Sequence, residues 1–149
     1  MDKNNLIEEF KKTRIFKDFD SIQIEKILSS CKELKLRAND TLFDQGADSD
    51  EIYFLVSGKL KVNANNSTVS SIKVGGVVGE IGSLTNTPRS ATIIAIFDSQ
   101  LLYIKQADLN TIIQGDSHLG LKLYRNVVEI LAGYLVENNL ALEFCKMLS

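Results

Sequence analysis

The feature that most constrains this chain is a hydrophobic period that changes twice. Up to about residue 33 apolar residues recur at helical spacing: Leu6, Ile7 and Phe10 first, then Ile24, Ile27 and Leu28 behind Asp20, which with Gln23 three residues on forms a helix-start signal. From residue 34 the period shortens. "ELKLRA", "TLFDQG", "DEIYFLVSG", "KLKVNA", "TVSSIKV", "VVGE", "SATIIAI" and "QLLYIK" alternate or carry dense apolar runs. Between them stand Gly58, Asn65-Asn66 and Gly75-Gly76, residues that accept the backbone of tight turns. From residue 107 the helical period returns, with Gly115 dividing a shorter helix from a long one. Seven or eight short strands between helices predict a mainly β fold, a small barrel or jelly roll. The expected boundaries are 1–33 for N-terminal helices, 34–106 for the strands and 107–149 for C-terminal helices, all within one domain, the default for 149 residues.

Composition narrows the class. Hydrophobic residues make up 44% and charged residues 24%, enough to bury a core. A net charge of −2 and a pI near 5.4 argue against DNA or an acidic membrane as the main partner, since both call for clustered Lys and Arg. No apolar run is long enough for a membrane span, and "MDKNNLIEEFKK" lacks the apolar core of a signal peptide, so a cytoplasmic protein is expected. Cys31 and Cys145 lie far apart without metal-ligand spacing, which predicts buried, reduced thiols. The single histidine, His118, stands in a polar stretch, and no nucleophile–base pair or ligand cluster points to an enzyme or a metal site.

One segment departs from the alternation. "GEIGSLTNTPRSATIIA" (79–95) opens on Gly79-Glu80, crosses a polar loop holding the only proline, Pro88, reaches Arg89-Ser90 and becomes an apolar strand. If "VVGE" ends a strand and "EIGSL" begins a helical turn, the amides of Ile81, Gly82 and Ser83 are unpaired at its N-terminus and can meet an anion. Gly82 would let a ligand approach the backbone closely. Arg89 would bring a planar fork matched to phosphate oxygens, Ser90 a hydroxyl, and Glu80 an acceptor for a nearby sugar hydroxyl. Together these suit a sugar phosphate. On spacing alone the alternative is a surface ion pair between Glu80 and Arg89 that closes the loop.

The same segment resembles the phosphate-binding cassette of the cyclic nucleotide-binding domain family. A second block, "LFDQGADSDEIYFLVSGKLKV" (42–62) with Gly46 and Gly58, resembles the strands before that cassette, and the likeness runs from about residue 15 to 140. Val78 stands where the family often has an aromatic residue. The resemblance implies an eight-stranded jelly-roll-like β-roll with N-terminal helices and a long C-terminal helix. It implies a ligand-binding set of Gly79, Glu80, Ile81, Gly82, Arg89, Ser90 and Tyr134. Glu80 would bind the ribose 2′-hydroxyl, and the backbone of Ile81 and Gly82, the Arg89 guanidinium and the Ser90 hydroxyl and amide would hold the cyclic phosphate. Ser90 after Arg89 is similar to relatives that bind cyclic AMP; cyclic GMP is the alternative, and no cofactor or metal is implied. The lid over the base would fall near Leu131 to Asn138. Tyr134 there either stacks on a purine or packs in a core or dimer seam, and Asn138 either reads the base edge or sets helix register.

Along the last helix Tyr124, Val128, Leu131, Leu135, Asn138, Leu142 and Cys145 form a 4-3 seam, with Ile130, Tyr134, Ala141, Phe144 and Leu148 beside it. So wide an apolar stripe predicts a homodimer through this helix, or a separate protein effector seated on it. No helix-turn-helix follows before Ser149, so a signal is expected to leave through the terminal helices. The competing readings are a ligand-independent interaction module with the same roll and a receptor for another nucleotide, such as a cyclic dinucleotide.

Overall fold

The computed structural model describes residues 2–137 and 147–148. The chain begins with helix α1 (Lys3–Lys11), a 3₁₀ turn (Arg14–Phe16) and helix α2 (Ser21–Leu28). The strands follow: β1 (Lys32–Leu36), β2 (Thr41–Phe43), β3 (Glu51–Ser57), β4 (Leu60–Ala64), β5 (Ser67–Ile72) and β6 (Val77–Val78). A short helix α3 (Glu80–Thr85) precedes β7 (Thr92–Ala95) and β8 (Ser99–Lys105), and helices α4 (Gln106–Gly115) and α5 (Ser117–Glu137) complete the order.

Local chemistry sets these boundaries. The Asp20 carboxylate accepts from the Gln23 N–H at 2.8 Å while the Gln23 side chain accepts from the Asp20 N–H at 3.1 Å, the reciprocal capping box expected at the start of α2. Asn65 and Asn66 both take positive φ, 53° and 63°, which gives the β4–β5 hairpin the turn that matches strand twist.

Among the described residues the eight strands form two antiparallel four-stranded sheets, ordered β1-β8-β3-β6 and β2-β7-β4-β5. This is the roll with helices at both ends that the resemblance implied. Two apolar clusters hold it. Between the sheets lie Tyr53, Leu55, Leu60, Val78, Ile93, Ala95 and Leu101. On the other face of β3, Ile52 and Phe54 meet the helices through Phe10, Phe16 and Leu119. Phe54 stacks on Phe16 at 5.7 Å and meets the edge of Phe10 at 5.7 Å.

The first half of α5 is fixed to the N-terminal turn. Asn126 is buried, and its Nδ2 donates to the carbonyls of Ile15 at 2.8 Å and Lys17 at 2.9 Å. Lys122 Nζ donates to Asp18 O at 2.8 Å and Gln23 Oε1 at 2.9 Å. Leu123, Val127 and Ile130 pack inward on the same side. The opposite face stays open: Leu121, Tyr124 and Val128 are 61%, 43% and 65% exposed. Asn138, Ala141, Leu142, Phe144 and Cys145 lie outside the described residues. Cys31 is a free thiol, as expected, but it is half-buried rather than buried: it sits just past α2, where its Sγ donates to Ile27 O at 3.3 Å. Burial pushes its pKa up to about 12.

Candidate functional site

β6 ends at Val78 and the chain turns through Gly79, which caps α3 with φ +81°. A Cβ at Gly79 would fall on Arg89 Nη1, so this glycine makes room for the guanidinium as well as for the turn. The helix expected at "EIGSL" is present, with one difference. The Ser83 amide donates to Gly79 O at 3.1 Å, so it belongs to the helix's own ladder and is not open to an anion. The correction follows from helix geometry, because only the donors of the first turn lack an intrahelical acceptor. Ile81 and Gly82 remain as first-turn amides that α3 itself does not supply with an acceptor. Ser83 is fully buried and its Oγ donates to Asp50 O at 3.2 Å, tying the cassette to the residue before β3. Gly82 is required by packing within the protein, since a Cβ there would meet Ser49 Oγ and lie 2.9 Å from Thr87 O.

Arg89 is a buried cation, its side chain only 2% exposed. Its backbone is bracketed by the loop after β2: the Arg89 N–H donates to Ala47 O at 2.9 Å and its carbonyl accepts from the Gly46 N–H at 2.8 Å. Nη2 donates to Glu51 O at 2.9 Å and Nη1 to Gly79 O at 3.2 Å. The guanidinium carbon stands 4.1 Å from the Phe43 ring centroid and 5.8 Å from that of Tyr53. The only carboxylate paired with it among the described residues is that of Glu51, at 3.8 Å, and Nε has no hydrogen-bond partner there. Burial lowers its pKa from the ordinary arginine value, opposed by Tyr53 and the nearby carboxylates. The Glu80–Arg89 surface pair, open on spacing alone, is not among the salt bridges of the described residues.

Glu80 is partly buried on the same cleft, and burial raises its carboxyl pKa against the opposing pull of its own amide and of Arg89. The cleft measures about 430 Å³. Gly79, Glu80, Gly82, Arg89 and Ser90 form its polar end; Val62, Ile72, Ile93 and Leu131 form its apolar wall. Ser90 is exposed at the mouth. The structure thus brings five of the seven expected residues to one cleft. Ile81 lies beside them on α3 and Tyr134 on α5, but their side chains are outside what the structure describes; Leu131, at the near end of the expected lid, is the α5 residue lining the cleft.

Sequence reasoning missed the residues that hold Arg89: Phe43, Glu51 and Tyr53. They lie far upstream, and Phe43 faces the cleft beside a register shift in β2 between Thr41 and Phe43 that no local pattern announces.

A two-sheet roll with a glycine-capped turn and a buried arginine on an open cleft defines a β-roll with a cationic cleft. Comparison with known proteins gives the family. The description "Cyclic nucleotide-binding domain" matches residues 33–116, more than half of the chain. The chain belongs to the cyclic nucleotide-binding domain family. It is 32% identical over 90 residues, 60% of its length, to the cAMP-dependent protein kinase type II regulatory subunit of Drosophila melanogaster. It is 24% identical over 138 residues, 93% of its length, to the cGMP-dependent protein kinase egl-4 of Caenorhabditis briggsae. It spans 24% and 18% of those proteins. The crystal structure of the N-terminal domain of a transcriptional regulator from Streptomyces coelicolor superposes with a TM-score of 0.75 at 25% identity, covering 85% of this chain and 94% of that one.

Proposed function

We propose that this chain is a cytoplasmic receptor domain for a cyclic mononucleotide, cyclic AMP before cyclic GMP, that binds its ligand without turning it over. The observation that carries the reading is Arg89. A cation this deeply buried beside a cleft, held mainly by two carbonyls and an aromatic ring, with a single carboxylate at 3.8 Å among the described residues, is a site short of negative charge. A cyclic phosphate supplies that charge, with the Ile81 and Gly82 amides and the Ser90 hydroxyl and amide as further donors. Glu80 accepts from the ribose 2′-hydroxyl, the Val62–Ile72–Ile93 wall takes the base, and Leu131 and Tyr134 on α5 cover it. Ser90 beside Arg89 and the likeness to a cAMP-dependent kinase subunit favour cyclic AMP.

The reading extends to the output. The exposed stripe of Leu121, Tyr124 and Val128, continued by Leu135, lies on the helix that also lines the cleft, so ligand and partner meet the same element. A second copy is the proposed partner, with a separate protein effector as the other occupant. Ligand then acts by favouring one packing of α5 over another.

Thermal unfolding with a panel of cyclic AMP, cyclic GMP and cyclic dinucleotides tests the ligand. A ligand at about a hundred times its dissociation constant stabilises by about 2.7 kcal/mol. Cyclic AMP is expected to give the largest shift at equal concentration, and no shift with any member of the panel refutes the receptor reading. Sedimentation equilibrium tests the dimer: a mass near 16.6 kDa at tens of micromolar, unchanged by Leu135→Asp, removes self-association through α5.

A further inference from the structure

We propose that Phe43 is a positioning residue for the bound anion, acting through Arg89. The proposal deepens the receptor reading and rests on it. Arg89 belongs to the cassette by sequence, but the segment that grips it is the end of β2 and the loop beyond. Gly46 and Ala47 bracket its backbone with two hydrogen bonds, and four residues earlier Phe43 lays its ring against the guanidinium with Cζ 4.1 Å from the centroid. The loop is itself tethered, since the Gln45 N–H donates to Thr92 Oγ1 at 2.8 Å and the Gln45 and Asn65 side chains bond at 3.2 Å. The register shift between Thr41 and Phe43 accompanies the turn of the ring toward the cleft, whose wall it also forms. The Tyr53 ring stands 6.0 Å from the Phe43 ring and 5.8 Å from the guanidinium carbon.

The consequence is directional. A guanidinium has two faces and an edge of N–H donors. Here the guanidinium lies over the Phe43 ring, while Gly79 O and Glu51 O take one donor from each Nη. Three of its five donors remain, one on each Nη and that of Nε, which is buried without a partner among the described residues. With the ring against it and two donors anchored, the guanidinium is held in one orientation, and Phe43 thereby sets the direction in which the remaining donors meet a phosphate. A cation over an aromatic face gains most where water is excluded, and Arg89 is so placed.

The test is a double-mutant cycle by calorimetric titration of cyclic AMP into the full chain, with Phe43→Leu, Phe43→Tyr, Arg89→Ala and Phe43→Leu/Arg89→Ala, each checked for a cooperative melt. Phe43→Leu is expected to weaken binding by about 3- to 30-fold. Phe43→Tyr, which keeps the ring face, should restore affinity to within about twofold of the parent. Once Arg89 is gone, Phe43→Leu should have no further effect. Undiminished affinity in Phe43→Leu overturns the proposal, and so does an equal loss from Phe43→Leu with and without Arg89, which would mean the ring touches ligand on its own account. A parent protein that binds no cyclic nucleotide refutes the receptor reading instead. The ring's hold on Arg89 is then read without ligand, from the Arg89 Nε–H resonance: an upfield ring-current shift that is lost in Phe43→Leu and regained in Phe43→Tyr supports it, and a resonance indifferent to both overturns it.

Discussion

Replacing Arg89 by alanine separates what the arginine does for the fold from what it does for a ligand. In the free protein the change removes the donors to Gly79 O and Glu51 O and the partner of the Phe43 ring. Leaving a buried acceptor unsatisfied costs about 1–3 kcal/mol. Against that, the change relieves the burial of a cation that is 2% exposed and incompletely paired. The net loss of stability is therefore expected to be modest, about 1–3 kcal/mol, which for a chain of this size is a fall in melting temperature of about 3–10 °C. In the liganded protein the phosphate loses its charge-assisted partner in a desolvated site. Truncating such a pair costs about 2–5 kcal/mol, a loss in affinity of about 30-fold to several thousand-fold. Titration calorimetry with cyclic AMP, run well below the melting point of both proteins and paired with circular dichroism, reads the two effects apart. A folded Arg89→Ala protein that binds cyclic AMP as tightly as the parent refutes the reasoning, whatever happens to its stability.

Glu80→Gln should act in opposite senses on the free and bound protein. Burial raises the Glu80 pKa in the folded state, so its contribution to stability is favourable below the ordinary carboxylate range and is lost as pH rises through the raised value. The glutamine variant should thus melt higher than the parent at pH 7, with the difference vanishing toward pH 4; a variant less stable at neutral pH contradicts that sign. In binding it should be weaker than the parent but milder than Arg89→Ala, and the parent should discriminate against a 2′-deoxy nucleotide by about 1.5–3 kcal/mol. Asn126→Ala strips the donor from Ile15 O and Lys17 O and should cost about 2–4 kcal/mol in urea unfolding; a loss under 1 kcal/mol would show that α5 is held by its apolar contacts alone.

Most of the fold was legible because the period of the apolar residues is set by local geometry. The dense apolar run in "DEIYFLVSG" and the Asn65-Asn66 turn each need only a few neighbouring residues to be read, and the capping box at Asp20 needs only four. The polar end of the cleft was legible for the same reason, being built from one short segment. The surroundings of Arg89 were not. Phe43 and Glu51 lie 46 and 38 positions upstream and reach it only because sheet order and a register shift bring them there. Asn126 was passed over likewise: an asparagine one position before two valines reads as surface, and its two carbonyl partners belong to a turn 109 and 111 residues away.

Strand β3 behaves as a party wall. Ile52 and Phe54 furnish the helix side, Tyr53 and Leu55 the sheet-to-sheet side, and the backbone of Glu51 carries the arginine. The cleft and the aromatic stack under the N-terminal helices are therefore separated by the thickness of one extended chain. No residue from 52 to 55 can be changed without altering one of the two rooms. A slide of this strand by a single position would exchange their contents, so the register that pairs Tyr53 with Val78 on one side and Tyr103 on the other guards both at once.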